Sequence, residues 1–480
     1  MCIIGGGATG LGIAVDAASR GFKTVLFEQH DFAKGTSSRS TKLVHGGVRY
    51  LQQGNVKLVM EALRERGLLL RNAPHLVHNQ RFVLPSYRWW ETPFYGVGLK
   101  IYDWMAGKLG LGPSQWLSRD ETLQMLPNLD PSGLRGGVIY HDGQFDDARL
   151  AIDLAKTAAW FDGVLLNYFP VTSLLKTSGK LSGVRVKDQF TGEELEVRAR
   201  VVINAAGVFS DRIQSMDEPG HPQLISPSQG VHLVVDRTFL PGETAVLIPR
   251  TDDGRVLFAV PWHDKIVLGT TDTAISNPDQ DYLLEPIPQE EEVDFILSHI
   301  GRYLSKDPGR EDVRSMFAGL RPLVKAGDAK TAALSRDHLI QVSDSQLITV
   351  TGGKWTTYRK MAEDTLTVAI EKNLLASRGC ITRELKLVGY DQPLMPASLG
   401  GLSAGVIRST LRKAVEEEMC MTVEDFLSRR TRTLLLDARK AMELAPLISE
   451  ELALIRGEAG PGIKNQLESF LSLAKNYLPA

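Results

Sequence analysis

The amino-acid sequence predicts an α/β chain, α+β overall, with a helical tail. Three stretches carry that expectation. The chain opens with an apolar strand, a glycine turn and a helix, and a second apolar strand then closes on an acid. Residues 230 to 275 alternate apolar and polar positions around the turn Asp252-Asp253-Gly254, as antiparallel strands do. Beyond residue 376 the pattern becomes helical. A chain of 480 residues exceeds what one hydrophobic core serves, so two or three domains are expected.

The opening is the most informative element. Met1-Cys2-Ile3-Ile4 runs into Gly5-Gly6-Gly7-Ala8-Thr9-Gly10-Leu11-Gly12, and Glu28 ends the run Thr24-Val25-Leu26-Phe27. Glycines at 5, 7 and 10 let the backbone approach a pyrophosphate, and the helix N-terminus offers N–H groups and a positive dipole. An acid about 20 residues on is placed to bond a ribose hydroxyl. A glycine-rich turn of another α/β protein would not need that spacing or that acid. The reading is a Rossmann-like dinucleotide site. The first strand is short, with four residues before the glycines.

The next elements follow from periodicity. Leu11, Ala14, Val15 and Ala18 share one face of a helix that Gly21 ends. Residues 35 to 42 form a polar loop, and 56 to 71 a long helix with Val59, Ala62, Leu63 and Leu70 inward. Residues 86 to 105 are rich in aromatics and flanked by Arg88, Lys100 and Lys108. They read as core of a cap, or as an amphipathic element dipping into a bilayer; the pattern favours the core. A helix over 147–160 precedes a meander of Val164–Asn167, Leu181–Asp188 and Glu194–Arg198. A buried strand, Val201-Val202-Ile203-Asn204, then delivers Ala205-Ala206-Gly207 to the nucleotide. A plain nicotinamide domain continues with further βα units, so the meander favours a flavin. Leu347–Val350 is a further strand, and the helix after Gly352-Gly353-Lys354 points its N-terminus at the same nucleotide. Thr422-Val423-Glu424-Asp425 is a capping signal.

Composition narrows the function classes. A net charge of −2 gives no general field for nucleic acid. Cys2, Cys380 and Cys420 make neither a disulfide framework nor a metal spacing, so no metal is expected. No apolar run approaches the roughly 18 residues that span a bilayer.

Flavin chemistry asks the protein to bind, to orient and to take one proton. Arg321 in Gly319-Leu320-Arg321-Pro322-Leu323, Arg336, Lys354 and Arg49 stand on turns and strand ends, which suggests an anionic substrate. Each alone could equally be a surface cation. His232, in a strand with parity opposite to Val231 and Leu233, is a candidate proton acceptor or a satisfied core histidine. His45 packs against the cofactor.

These motifs resemble the FAD-dependent glycerol-3-phosphate dehydrogenases. The likeness runs through Gly5–Gly12, Gly35-Thr36-Ser37-Ser38, His45-Gly46-Gly47-Val48-Arg49-Tyr50-Leu51, Asp146-Asp147-Ala148-Arg149-Leu150, Gly269-Thr270-Thr271-Asp272, Gly319–Leu323 and Gly352–Lys360. It implies a D-amino-acid-oxidase-like fold. The FAD domain would comprise 1–80, 145–225 and 330–375, the substrate or cap domain 81–144 and 226–329, and the helical domain 376–480. It implies oxidation of sn-glycerol 3-phosphate to dihydroxyacetone phosphate, with electrons passing to quinone. Peripheral attachment to the cytoplasmic side of an inner membrane follows, or a mitochondrial home if a leader is missing; a homodimer belongs to the same expectation. Carried onto this sequence, Arg49, Tyr50, Arg336, Thr270 and Asp272 would hold or shape the substrate site, beside Arg321, His232 and Lys354. The base stays open among those three. Gly5, Gly7, Gly10, Glu28, Thr36, Ser37, Ser38, His45, Gly46, Val171, Ala206, Gly207, Gly319, Gly353, Lys354, Trp355 and Thr356 would surround FAD. The alternatives are an oxidase passing electrons to oxygen, and a flavin-binding module without catalysis. The presence of Arg321 and Lys354 speaks against the second. The stretch between Val388 and Val406 is shorter than the family's usual one.

Overall fold

A computed structural model describes residues 1–47, 55–249, 251–252, 254–325, 338–457 and 461–479, with 461–463 as backbone only. Arg49, Tyr50 and Arg336 lie outside the described residues.

Two sheets carry the site. The first has six strands in the order His338–Val342, Leu347–Gly352, Val202–Asn204, Cys2–Ile4, Val25–Phe27 and Val164–Leu166. All neighbours are parallel except the first pair. Its central strands, Cys2–Ile4, Val202–Asn204 and Leu347–Gly352, are buried on both faces, as parallel strands between layers are. Ile3 pairs with both Leu26 and Ile203, which sets the glycine turn beside the end of the Ala205-Ala206-Gly207 strand. Helices Ala8–Ser19, Asp147–Trp160 and Tyr358–Glu371 pack together over one core with Leu11, Leu150 and Leu366.

The second sheet is larger and mainly antiparallel. Ile225–Asp236 lies between Lys265–Gly269 and Ser315–Val324, and Val77–Ser86 pairs along its length with Gly136–Phe145. Helix Glu290–Gly301 packs on it through Val293, Ile296 and Ile300.

Two expectations need correction. Val164–Leu166 is the outer strand of the parallel sheet, not the first of the meander. The meander is Val171–Thr177, Lys180–Lys187 and Glu194–Arg198. Register shifts in Val171–Thr177 break the alternation by which a strand is recognised. The aromatic segment is not simply core. Helix Glu91–Ala106 buries Tyr95, Leu99 and Tyr102 on one side. On the other, Phe94, Val97, Ile101 and Trp104 are exposed, with Trp89 just before the helix. Trp104 is 83% exposed, which excludes a purely internal role. Among the described residues no helix is long and apolar enough to cross a membrane.

The C-terminal helices Ala404–Glu418, Ala438–Arg456 and Pro461–Lys475 enclose a third core, including Leu411, Phe426 and Leu434. Thr422 and Asp425 cap each other's backbone N–H, the start that the sequence signalled. The turn that follows drives arginines into the nucleotide domain. Arg430 grips Asp31 with two nitrogens at 2.7 and 2.8 Å, and Arg429 Nε reaches the same carboxylate at 2.5 Å. Arg432 pairs with Asp146 at 2.9 Å, and Lys34 with Glu424 at 2.6 Å. Burial would raise the Asp31 pKa, but Arg430 and Arg429 hold it below the usual carboxylate range.

Candidate active site

One continuous cavity joins the two sheets. The first wall is the glycine turn. Gly5 has φ +110°, and a Cβ there would lie 2.6 Å from the Ala205 carbonyl. At Gly10 a Cβ would lie 1.9 Å from the Gly5 carbonyl. Only glycine permits that approach. The Glu28 carboxylate accepts the Gly6 N–H at 2.6 Å and the His30 N–H at 2.9 Å. Burial raises its pKa, and those two N–H groups oppose the rise. Ala8 N–H donates to Ser37 Oγ at 2.9 Å, which ties the helix start to the turn 36–38.

That turn is held from every side. Thr36 donates to the Leu320 carbonyl at 2.5 Å, and Trp355 Nε1 to the Ser37 carbonyl at 2.8 Å. Lys42, wholly buried, donates to both oxygens of Asp147 at 2.8 Å and to the Ser38 carbonyl at 2.6 Å. Arg39 reaches the Leu284 carbonyl and the Glu285 carboxylate. A Cβ at Gly319 would come within 2.8 Å of the Arg39 carbonyl.

The second wall carries cations and an imidazole. Arg321 donates through Nη1 to the Gln229 carbonyl at 3.3 Å and through Nη2 to the Thr271 carbonyl at 3.1 Å. Thr270 Oγ1 lies 3.3 Å from Nη2, and Asp272 3.5 Å from Nη1. A Cβ at Gly230 would stand 2.4 Å from Nη2, so glycine makes room for the guanidinium. His232 is buried and stacks on Phe317 with ring centroids 4.9 Å apart. Its Nε2 meets Thr41 Oγ1 at 2.9 Å, and its Nδ1 is buried with no hydrogen-bond partner among the described residues. Burial first, then Arg321 and Lys42, hold its pKa well below the usual imidazole range. It is neutral at ordinary pH.

The cavity gathers most of the residues expected at the site. Gly5, Gly7, Glu28, Thr36, Ser37, His45, Val171, Ala206, Gly207, Gly319, Gly353, Lys354, Trp355 and Thr356 line it together with His232 and Arg321. Five others stand behind the wall. Gly10 packs on Gly5, the Ser38 carbonyl receives Lys42, and Gly46 N–H donates to the Tyr102 hydroxyl at 2.8 Å. Thr270 and Asp272 flank Arg321. Sequence reasoning missed Thr41, Lys42, Arg39, Phe209 and Arg212. Lys42 and Thr41 stood in a stretch read only as a polar loop, and the side chains they meet, Asp147 and His232, lie more than a hundred positions away in the chain. Among the described residues no group of His, Cys, Asp or Glu could hold a metal ion.

The glycine turn, the two N–H groups at Glu28 and the second strand end at Ala206-Gly207 suit a dinucleotide, and the same cavity continues to His232 and Arg321. These residues fit FAD. Residues 1–359 match the family DAO, the FAD dependent oxidoreductases. The chain belongs to that family. FAD is therefore the cofactor of this DAO chain. The mitochondrial glycerol-3-phosphate dehydrogenase of Mesocricetus auratus is 46% identical over 405 residues, covering 81% of this chain and 55% of that protein. That of Homo sapiens is 40% identical over 510 residues, covering 94% of this chain and 69% of that protein. The chain thus spans between about half and two thirds of the length of these relatives. The structure of the glycerol-3-phosphate dehydrogenase from Bacillus halodurans complexed with FAD superposes with a TM-score of 0.80 at 30% identity. That comparison covers 100% of this DAO chain and 95% of the other.

Proposed function

We propose that this flavoprotein oxidises sn-glycerol 3-phosphate to dihydroxyacetone phosphate and passes the electrons to a membrane quinone. One observation carries the reading: a guanidinium and a neutral, buried imidazole line the cavity that the glycine turn opens. An anion is attracted to Arg321 and Lys354, and forked guanidinium donors match phosphate or alkoxide oxygens. FAD, when bound, supplies the acceptor for the hydride. The chain's part is to hold the phosphate, keep the carbinol carbon in place and take the hydroxyl proton. His232 is the group we assign to that proton, because burial keeps it unprotonated. Arg321 stabilises the oxygen as charge develops on it. Arg49, Tyr50 and Arg336 complete the substrate site in this reading, and Thr270 and Asp272 shape it. The relatives named as glycerol-3-phosphate dehydrogenases support the substrate.

The acceptor is read from the surface. Trp89, Phe94, Val97, Ile101 and Trp104 form an exposed apolar stripe bordered by Arg88, Lys100 and Lys108, all exposed. Aromatics at an interface with flanking cations suit peripheral attachment to an anionic bilayer, where a quinone resides. The mitochondrial address in the relatives' names supports the mitochondrial localisation over the bacterial one. We also propose the three-part division of the chain at the boundaries expected from sequence.

Anaerobic addition of glycerol 3-phosphate should bleach the flavin absorbance. A spectrum unchanged by that substrate ends the proposal. Sedimentation with anionic liposomes tests attachment, and the yield of peroxide with and without a quinone analogue separates the dehydrogenase from an oxidase.

A further inference from the structure

Behind the cavity wall lies a buried carboxylate that the reaction does not touch. Glu292 stands in the first turn of helix Glu290–Gly301, is 5% exposed and does not line the cavity. Its Oε1 accepts the hydroxyls of Thr271 and Thr273, each at 2.7 Å. Its Oε2 accepts the Gln229 side-chain amide at 2.7 Å and the Gln289 backbone N–H at 3.2 Å. All four partners are donors. Gln229 and Thr271 are also the residues whose backbone carbonyls receive Nη1 and Nη2 of Arg321.

We infer that Glu292 is a positioning residue that sets the Arg321 guanidinium by clamping, with one oxygen each, the two residues whose carbonyls hold it. The links on each side are short and buried. Gln229 and Thr271 are both essentially inaccessible to solvent. The Tyr282 hydroxyl donates to the Gln229 amide oxygen at 2.7 Å, which turns the amide N–H toward Glu292. Val231 N–H donates to Thr271 Oγ1 at 2.9 Å, which leaves the Thr271 hydroxyl proton for the carboxylate. Asp272, between the two clamped threonines, faces Arg321 Nη1. A Cβ at Gly230 would stand 2.4 Å from Nη2, so the guanidinium packs directly on the strand that carries the Gln229 carbonyl.

A carboxamide is a poor replacement for the carboxylate. With its N–H₂ on the Oε2 side it would face the Gln229 and Gln289 N–H donors; on the Oε1 side it would use the Thr271 and Thr273 hydroxyl oxygens as acceptors and leave their protons without the oxygen that now receives them. The prediction concerns rate rather than cofactor retention, because no atom of the clamp lines the nucleotide wall.

The inference rests on the reading of Arg321 as a group that faces substrate. The test is a double-mutant cycle on the FAD-loaded protein, comparing Glu292→Gln, Arg321→Ala and the pair. Anaerobic bleaching at saturating glycerol 3-phosphate gives the rate. The flavin's spectral shift with dihydroxyacetone phosphate gives a product affinity that needs no turnover. Glu292→Gln should slow bleaching about tenfold or more, by misplacing one preorganised donor, with product affinity within about threefold of wild type. On the Arg321→Ala background it should add less than about twofold, because its effect passes through the missing guanidinium. Losses that multiply in the pair, or a wild-type rate in Glu292→Gln, overturn the inference. Should Glu292→Gln not fold, Thr271→Val breaks the same clamp from the other side, and the cycle is run with it. A wild-type flavin that glycerol 3-phosphate fails to bleach overturns the functional reading and this inference with it. A bleached wild type with multiplying losses overturns this inference alone.

Discussion

On the nucleotide wall the backbone makes the site, whereas on the cationic wall side chains make it. Gly5 and Gly10 are fixed by hard contact with main-chain carbonyls, and no neighbour can give way. Arg321 is fixed by a set of hydrogen bonds at 3.1 to 3.5 Å that reaches into another layer of the molecule. The glycine fingerprint of the first wall is consecutive in the chain, although the carbonyl that Gly5 meets comes from Ala205. The second is assembled from strand Ile225–Asp236, strand Ser315–Val324 and the loop at 270–273, which the chain joins only after folding. A backbone site should fail completely when altered, and a side-chain site should fail by degrees.

Gly10→Ala should have the largest effect. Its Cβ would sit 1.9 Å from the Gly5 carbonyl, so the turn must open. The purified variant should be colourless, and the ratio of flavin to protein absorbance measures this. Arg321→Ala comes next. It should retain flavin and lose roughly 10²-fold in anaerobic bleaching rate, as expected for one preorganised donor. If it also lost its flavin, the two walls would not be separable.

The stripe outside the cavity gives a smaller effect. Trp104→Ser removes one large exposed apolar side chain, a loss of about 1.4 kcal/mol in partition, or roughly tenfold weaker liposome binding by sedimentation. The smallest effect is in pH. His232 binds its proton in the unfolded chain near pH 6.5 and far less readily in the fold. The unfolded state therefore takes up more protons as pH falls below about 6.5, and stability declines there. His232→Gln should flatten that decline in unfolding midpoints, and the wild-type kcat/KM should show no acid limb near 6.5 from this group.

The two walls were also unequally legible. The fingerprint at 5–28 located its turn, its helix and its acid, and helices Asp147–Trp160 and Tyr358–Glu371 stand where periodicity put them. Val164–Leu166 was misplaced because three apolar residues say nothing about which strand they pair with. The aromatic helix defeated the pattern because both its faces are apolar, and only the fold decides which is covered. Glu292 reads as an ordinary acid in the first turn of a helix, since nothing near it in sequence reveals Thr271 or Gln229. The Asp31 pairs span about four hundred positions, beyond the reach of any local signal.

Those pairs constrain how the molecule comes into being. Asp31 enters its pocket with Arg429 and Arg430 as counterions, and stripping one partner from a buried pair costs about 3–5 kcal/mol. During synthesis, Asp31 must wait for these counterions until Arg429 and Arg430 have emerged, about four hundred positions later. A clone stopped at residue 375 would hold the whole parallel sheet and yet leave an orphan carboxylate where the arginines belong. The arginine pair thus acts as a keystone for the nucleotide domain, and a product stopped before it would carry an unpaired charge.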